Sequence, residues 1–289
     1  MLAFLSQKST LSFTMNYQLL NTSYELPLIQ RLLHIRKISD KAESFFQPSL
    51  SNARHDPFLL YGMEKAVVHL IQAMKNNEKI MIFGDYDVDG ITASYCLYKF
   101  LRYFLNYPQV SIMYPNRKED GYGLKIKHLE EMKTKGIDLV ITVDNGITSI
   151  EEALYAKTLG INVIITDHHQ PLNELPNALA VIDPLCSPLY PFTGLAGVGV
   201  AFKLINALLS KCTLDNQRKN QIFNFFLPIV AIGTVADVVP LLDENRFIVK
   251  RGLELINHSP DSLPPSLKGF LSYLNIKNPI DTYHIGFVI

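Results

Sequence analysis

The sequence predicts an α/β protein: a parallel β-sheet flanked by helices, with a mainly helical C-terminal portion and a short helical N-terminal arm. Three observations carry this expectation. Strand-length apolar runs alternate with helix-length amphipathic stretches between about residues 61 and 185. The runs Ile80-Met81-Ile82-Phe83, Leu139-Val140-Ile141-Thr142-Val143 and Val163-Ile164-Ile165 are apolar at successive positions, as strands covered on both faces must be. After Pro188 the alternation stops and long helical patterns take over.

Taken in order, Leu28–Ile35 has helical periodicity, and Ser39–Phe46 reads as a capped second helix. The Pro/Ser/Asn stretch Gln47–Pro57 reads as a linker, so the expected division is an arm over 1–57 and a main domain over 58–289. Helix 61–76 then precedes strand 79–83, and helix 92–105 precedes strand 110–114. Helix 124–135 precedes strand 138–143, helix 149–159 precedes strand 162–166, and a short strand is expected at 179–182. The sheet core therefore spans about 79–185. The helical portion covers about 190–289, with helices at 195–211, 218–232 and 246–257. The last residues, Ile285-Gly286-Phe287-Val288-Ile289, form an apolar run without a cap or polar tail, which predicts a piece of a longer protein.

Composition narrows the function. Hydrophobic residues make up 48% of the 289, enough for a substantial core and too many for general disorder. Lys plus Arg and Asp plus Glu both number 27, so no global basic field points to a simple nucleic-acid-coating protein. An enzyme whose bound metals supply positive charge remains compatible with this balance. Cys96, Cys186 and Cys212 have no CxxC spacing, which excludes a cysteine-rich zinc site and fits a reducing compartment. The N-terminus lacks a basic n-region and a long apolar stretch, so no signal peptide is expected. The apolar segment Phe225–Leu242 contains Pro228, Asp237 and Pro240 and reads as buried helix plus loop, not as a membrane span. A soluble, cytoplasmic protein is expected.

Four positions combine an acid or histidine with the end of a strand or an apolar turn. They are Asp85-Tyr86-Asp87-Val88-Asp89-Gly90, Val143-Asp144-Asn145-Gly146, Thr166-Asp167-His168-His169, and Asp237 within an apolar loop Gly233–Pro240. Three carboxylates at alternate positions repel one another unless a cation neutralises them. If the strands are parallel, the first three motifs share one sheet edge and converge on one crevice. Oxygen-rich ligands with some imidazole suit manganese or magnesium better than structural zinc, and paired ions are a standard device for attack on phosphorus. Each motif also has a structural explanation. Asp144 could cap a turn, the histidines could be core or surface imidazoles, and Asp237 could be a paired buried acid.

These residues resemble the DHH phosphoesterase superfamily, named for the motif present here as Asp167-His168-His169, and within it the RecJ-type exonucleases. The likeness also rests on Gly84–Gly90, Val143–Ile147, Gly197–Lys203 and Gly233–Leu241, and it runs from about Leu28 to the end. It implies a metal-dependent phosphodiesterase core that releases mononucleotides from the 5′ end of single-stranded DNA in repair and recombination. It implies two manganese or magnesium ions held by Asp87, Asp89, Asp144, His168 and Asp237, with Asp144 as the bridge. His169 would face the scissile phosphate, and Asp85 would support the chemistry from beside the ions. Asn145, Gly197 and Gly199 would meet the substrate, the glycines by letting backbone approach the strand. Some members carry a further histidine ligand where this chain has Phe83. Single-stranded DNA is the implied partner, with a single-stranded-DNA-binding protein and a helicase beside it and no membrane.

The family's apolar run at 285–289 continues into an arginine- and glycine-bearing stretch, a DHH-associated domain and an OB-fold, none of which this sequence contains. Those parts provide much of the cleft and the grip on single strands. Two rival readings follow: a phosphoesterase for short oligonucleotides, cyclic dinucleotides or pyrophosphate, and an inactive scaffold piece.

Overall fold

Five strands, β1 (Ile80–Gly84), β2 (Val110–Met113), β3 (Leu139–Val143), β4 (Asn162–Thr166) and β5 (Ala180–Ile182), form one sheet in the order β2-β1-β3-β4-β5. Every neighbouring pair is parallel. The computed structural model describes residues 26–49, 54–276 and 279–287. Residues 50–53 of the expected linker and the last two of the terminal apolar run lie outside the described residues.

The chain divides into two units, Met1–Phe46 and Gln47–Ile289. The described part of the first contains α1 (Leu28–Ile35), a 3-10 turn at Ser39–Lys41 and α2 (Ala42–Phe46). The second holds the sheet with α3 (Met63–Lys75), α4 (Val88–Lys99), α5 (Ile126–Thr134) and α6 (Ile150–Thr158). Beyond the sheet come α7 (Gly197–Lys211), α8 (Asn216–Ala236), α9 (Asp243–His258), α10 (Pro265–Leu274) and α11 (Thr282–Phe287). The segment expected to be linker reaches into this second unit: the His55 N–H donates to Glu244 Oε1 at 3.0 Å.

Strand side chains alternate between two cores because successive residues point to opposite faces. Ile80, Ile82, Leu139, Ile141, Val143, Ile164 and Ile182 belong to the larger core, which α3, α4, α7, α8 and α9 complete. Met81, Phe83, Val140, Val163, Ile165 and Val181 face the smaller one, with Leu129 and Met132 of α5 and Ala156 of α6. Helices on both faces bury β1 and β3 at every position, hence their unbroken apolar character, while the edge strand β2 leaves Ser111 exposed.

Element boundaries moved where capping was decisive. Asp87 accepts the Gly90 N–H at 2.9 Å, so α4 starts at Val88 and not at Thr92. The expected apolar loop Gly233–Pro240 is in part helix: α8 runs through Pro228 to Ala236 and puts Asp237 at its C-cap. Helix α10 was unforeseen because Pro264-Pro265 reads as a breaker, yet proline suits a first helical position.

Candidate metal centre

The register of the sheet builds the site. Gly84 pairs with Val143, Val143 with Thr166, and Thr166 with Ile182, so four strands end in one row. The next residue in each case is an aspartate: Asp85, Asp144, Asp167 and Asp183. All four are buried, at 0–3% exposure. The strand order reverses between β1 and β3, and parallel sheets open their ligand crevice at such a point. Asp85 and Asp144 stand on either side of it.

Asp89 comes from the first turn of α4 and is gripped by the N-terminus of α7. Gly197 N–H donates to its Oδ2 at 2.7 Å and Val198 N–H to its Oδ1 at 2.9 Å. Free backbone N–H groups and the helix dipole favour a carboxylate there. Gly197 is required by contact: a Cβ on it would meet Asp144 Oδ1 at 2.5 Å. Asp237 arrives from the end of α8, which packs closely on α4 because Gly233 leaves room for Thr92.

These segments converge on His168. Its Nε2 lies 3.1 Å from Asp144 Oδ1, 3.6 Å from Asp237 Oδ2 and 3.8 Å from Asp89 Oδ2. Asp144 Oδ1, His168 Nε2, Asp237 Oδ2 and Asp85 Oδ1 are buried atoms without a hydrogen-bond partner. An unsatisfied buried polar atom costs about 1–3 kcal/mol, and several acceptors aimed at one space need a cation or protons between them.

Electrostatics say the same. Burial, then the charges of Asp87 and Asp167, push the Asp144 carboxyl up to about 9. Burial, then Asp144 and Asp237, hold Asp89 well above the usual carboxylate range. Burial also raises Asp237 and Asp85, with Asp87 adding to both.

The donor atoms fall into three overlapping groups whose ligand atoms lie within 4.8 Å of one another: Asp89, His168 and Asp237; Asp85, Asp87 and Asp144; and Asp144, His168 and His169. Oxygen donors with one or two imidazoles fit manganese or magnesium, and two adjoining clusters fit two ions. Asp144 belongs to the second group, and its Oδ1 lies 3.1 Å from His168 Nε2 of the first, which is where a bridging carboxylate would stand.

His169 is arranged differently. Its Nδ1 lies 2.7 Å from Asp167 Oδ1, whose carboxylate also accepts the His168 and His169 N–H groups at 2.8 and 3.2 Å. The other oxygen of Asp167 accepts the Ile147 N–H at 2.8 Å. Burial would raise Asp167, but the His169 hydrogen bond and charge and these N–H groups bring it below its ordinary value. In turn the Asp167 bond pushes His169 up to about 9, against its burial. A carboxylate can only accept, so the proton sits on Nδ1 and leaves Nε2 as the working nitrogen. The Tyr122 hydroxyl donates to the Asp144 carbonyl at 2.9 Å and lies 3.1 Å from His169 Nδ1. One phenol thereby ties the His169 ring to the backbone of Asp144, which sits at φ 61°.

The structure brings Asp87, Asp89, Asp144, His168 and Asp237 together and adds Asp85 to the ligand cluster, whereas a supporting place beside the ions was expected for it. Asn145, Gly197 and Gly199, expected to meet substrate, are all buried. The Asn145 amide donates to the carbonyls of Val143 at 2.9 Å and Phe83 at 3.2 Å, which makes it a strut between β3 and β1. Gly199 turns its α-carbon toward Leu195, and Gly197 toward Asp144. The smallness of Gly197 serves packing around Asp144, and that of Gly199 packing against Leu195. The role of Asp167 as anchor of His169 and the contacts of Tyr122 went unread in the sequence. The position of Asp167 directly after a strand, shared with Asp85 and Asp144, was the available signal.

Comparison with known proteins gives the family. Residues 79–234, more than half of the chain, match the model for the DHH family, N-terminal domain. The single-stranded-DNA-specific exonuclease RecJ of Bacillus subtilis (strain 168) is 42% identical over 238 residues, covering 81% of this chain and 28% of that protein. The Escherichia coli (strain K12) protein of the same name is 40% identical over 222 residues, 75% of this chain and 38% of its own length. The chain thus spans well under half of either relative. A crystal structure of exonuclease RecJ bound to manganese superposes with a TM-score of 0.69 at 32% identity, covering 79% of this chain and 55% of that one. RecJ from Thermus thermophilus in complex with Mn2+ gives 0.70 at 27% identity, covering 89% and 35%. By family match, sequence and structure, the chain belongs to the DHH family.

Proposed function

We propose that the chain is the metal-dependent phosphodiesterase core of a RecJ-type exonuclease, acting from the 5′ end of single-stranded DNA. One observation carries the reading: buried, unpartnered oxygen and nitrogen atoms of Asp144, His168, Asp237 and Asp85 converge at the carboxyl edge of a parallel sheet. Asp89, His168 and Asp237 would hold one manganese or magnesium ion, and Asp85, Asp87 and Asp144 the other. Bound there, the ions supply activation of water and neutralisation of charge on a phosphate.

The chain's own residues do the rest. Backbone N–H groups of Gly197 and Val198 fix the Asp89 carboxylate, so its ligand geometry is set before any ion arrives. Asp167 orients His169 and holds its proton on Nδ1, so Nε2 is free to face a phosphate oxygen or a leaving group. The His169 side chain is 43% exposed, as a group that must reach substrate has to be. A place in DNA repair and recombination in the cytoplasm, beside a single-stranded-DNA-binding protein and a helicase, belongs to the same proposal and rests on the family resemblance. No described helix is long and apolar enough to cross a membrane.

The test uses manganese and a 5′-labelled single-stranded oligonucleotide. Labelled mononucleotide is expected from the wild type, and Asp144→Ala should lose on the order of a thousandfold in rate, because both ions lose position together. Equal rates in the two proteins would refute the assignment.

A further inference from the structure

Seven described residues other than glycine have positive φ, and six of them are Asn, Asp or Lys. The seventh is Val238, at φ 60°. It follows the Asp237 C-cap, and its N–H returns to the Val235 carbonyl at 3.2 Å. Helices that end this way normally place glycine there. A β-branched side chain is the least suited to the left-handed region, because both γ-carbons crowd the backbone. Packing does not compensate, since Val238 is 86% exposed.

The residue directly follows Asp237, whose carboxylate is one of the candidate ligands. The carboxylate of its neighbour Asp237 lies 3.6 Å from His168 Nε2. Helix α4, which carries Asp89, exposes two more apolar side chains in its first turn, Val88 at 41% and Ile91 at 46%. Strain held in place without local gain marks functional positions. The chemistry next along the chain from Val238 is that of the acid cage and of whatever the cage binds.

We propose that Val238 is a specificity-determining residue that packs against the apolar face of the base on the nucleotide whose phosphate occupies the cage. The inference rests on the phosphodiesterase reading and deepens it. In a duplex a terminal base is held in place by its pairing partner and its one stacked neighbour. In a single strand a terminal base can turn one face to a side chain, as sequence-tolerant single-strand binders require. Val238 thus favours unpaired ends without reading sequence.

Two variants separate contact from strain. Val238→Gly removes both, and Val238→Ala keeps the strained L-residue while shortening the contact. The full chain is assayed with manganese on a single-stranded oligonucleotide and on the same strand with an abasic 5′-terminal residue. For Val238→Gly the melting temperature should rise by a few degrees, while KM on the normal strand rises roughly fivefold, the ratio that about 1 kcal/mol of lost apolar contact gives. On the abasic strand its KM should match the wild type within twofold. Val238→Ala should raise KM similarly with no gain in melting temperature. An unchanged KM, an equal rise on both strands, or a lowered melting temperature for Val238→Gly would overturn the inference. If the wild type does not turn over, the catalytic reading fails separately. Val238 is then judged by fluorescence anisotropy of the two strands with manganese, where Val238→Gly must weaken only the normal one.

Discussion

At the scale of single residues, Asp167 shows how a buried acid differs from its neighbours by its partners alone. It stands in the same row as Asp144, yet three backbone N–H groups and an imidazole surround it, so it falls below its ordinary value while Asp144 rises to about 9. Asp167→Asn removes the anion that holds His169 up near 9. The His169 imidazole should then titrate at lower pH, readable by NMR, and the rate should fall roughly 10- to 100-fold while manganese affinity stays within a few-fold. Asp87, Asp89, Asp144, His168 and Asp237 were named at the sequence level as what the family resemblance implies, and the fold brings them near one another as candidate ligands. Tyr122 was not. It lies in a Gly-Tyr-Gly turn without periodicity, and only the folded chain brings its hydroxyl to Asp144 and His169.

At the scale of elements, the meeting of α7 with the sheet edge matters most. Gly197 donates to Asp89 while its α-carbon lies against Asp144, so one residue sets the spacing of two acids. In Gly197→Ala the added methyl must displace the Asp144 carboxylate or the helix. The expected outcome is a loss of manganese affinity of at least about tenfold in a protein that still folds, measured by calorimetry with circular dichroism as control. β1 and β3 were legible because double burial demands continuous apolar runs. The start of α4 and the length of α8 were not, since Asp87 works as both ligand candidate and cap, and Pro228 is tolerated inside a buried helix.

At the scale of the molecule, the acid cage opposes the fold that creates it. An acid whose folded pKa lies above its unfolded value loses stability as pH rises between the two, which for Asp144 runs from 3.8 to about 9. His169, a base raised from 6.5 to about 9, stabilises below that window and loses its contribution through it. Both slopes have the same sign. In chelator the melting temperature should therefore fall from pH 6 to pH 9, while Asp144→Asn and saturating manganese should each flatten the slope toward the part that His169 contributes. Manganese at about a thousand times its Kd should add roughly 4 kcal/mol. Elsewhere the buried pair of Lys203 and Glu244, 2.8 Å apart with the Tyr190 hydroxyl also on Glu244, binds α7 to α9. Lys203→Met leaves the buried Glu244 with the Tyr190 hydroxyl and the His55 N–H but without its cation, at an expected cost of about 3 kcal/mol by urea titration.

The groups that would grip the ions enter the chain at intervals from Asp85 to Asp237, and the last of them depends on a helix that follows the whole sheet. A ribosome that has made the strands but not the end of α8 carries an incomplete set of candidate ligands. On the proposed reading, metal-dependent chemistry is thereby postponed until the sheet and α8 have both been made.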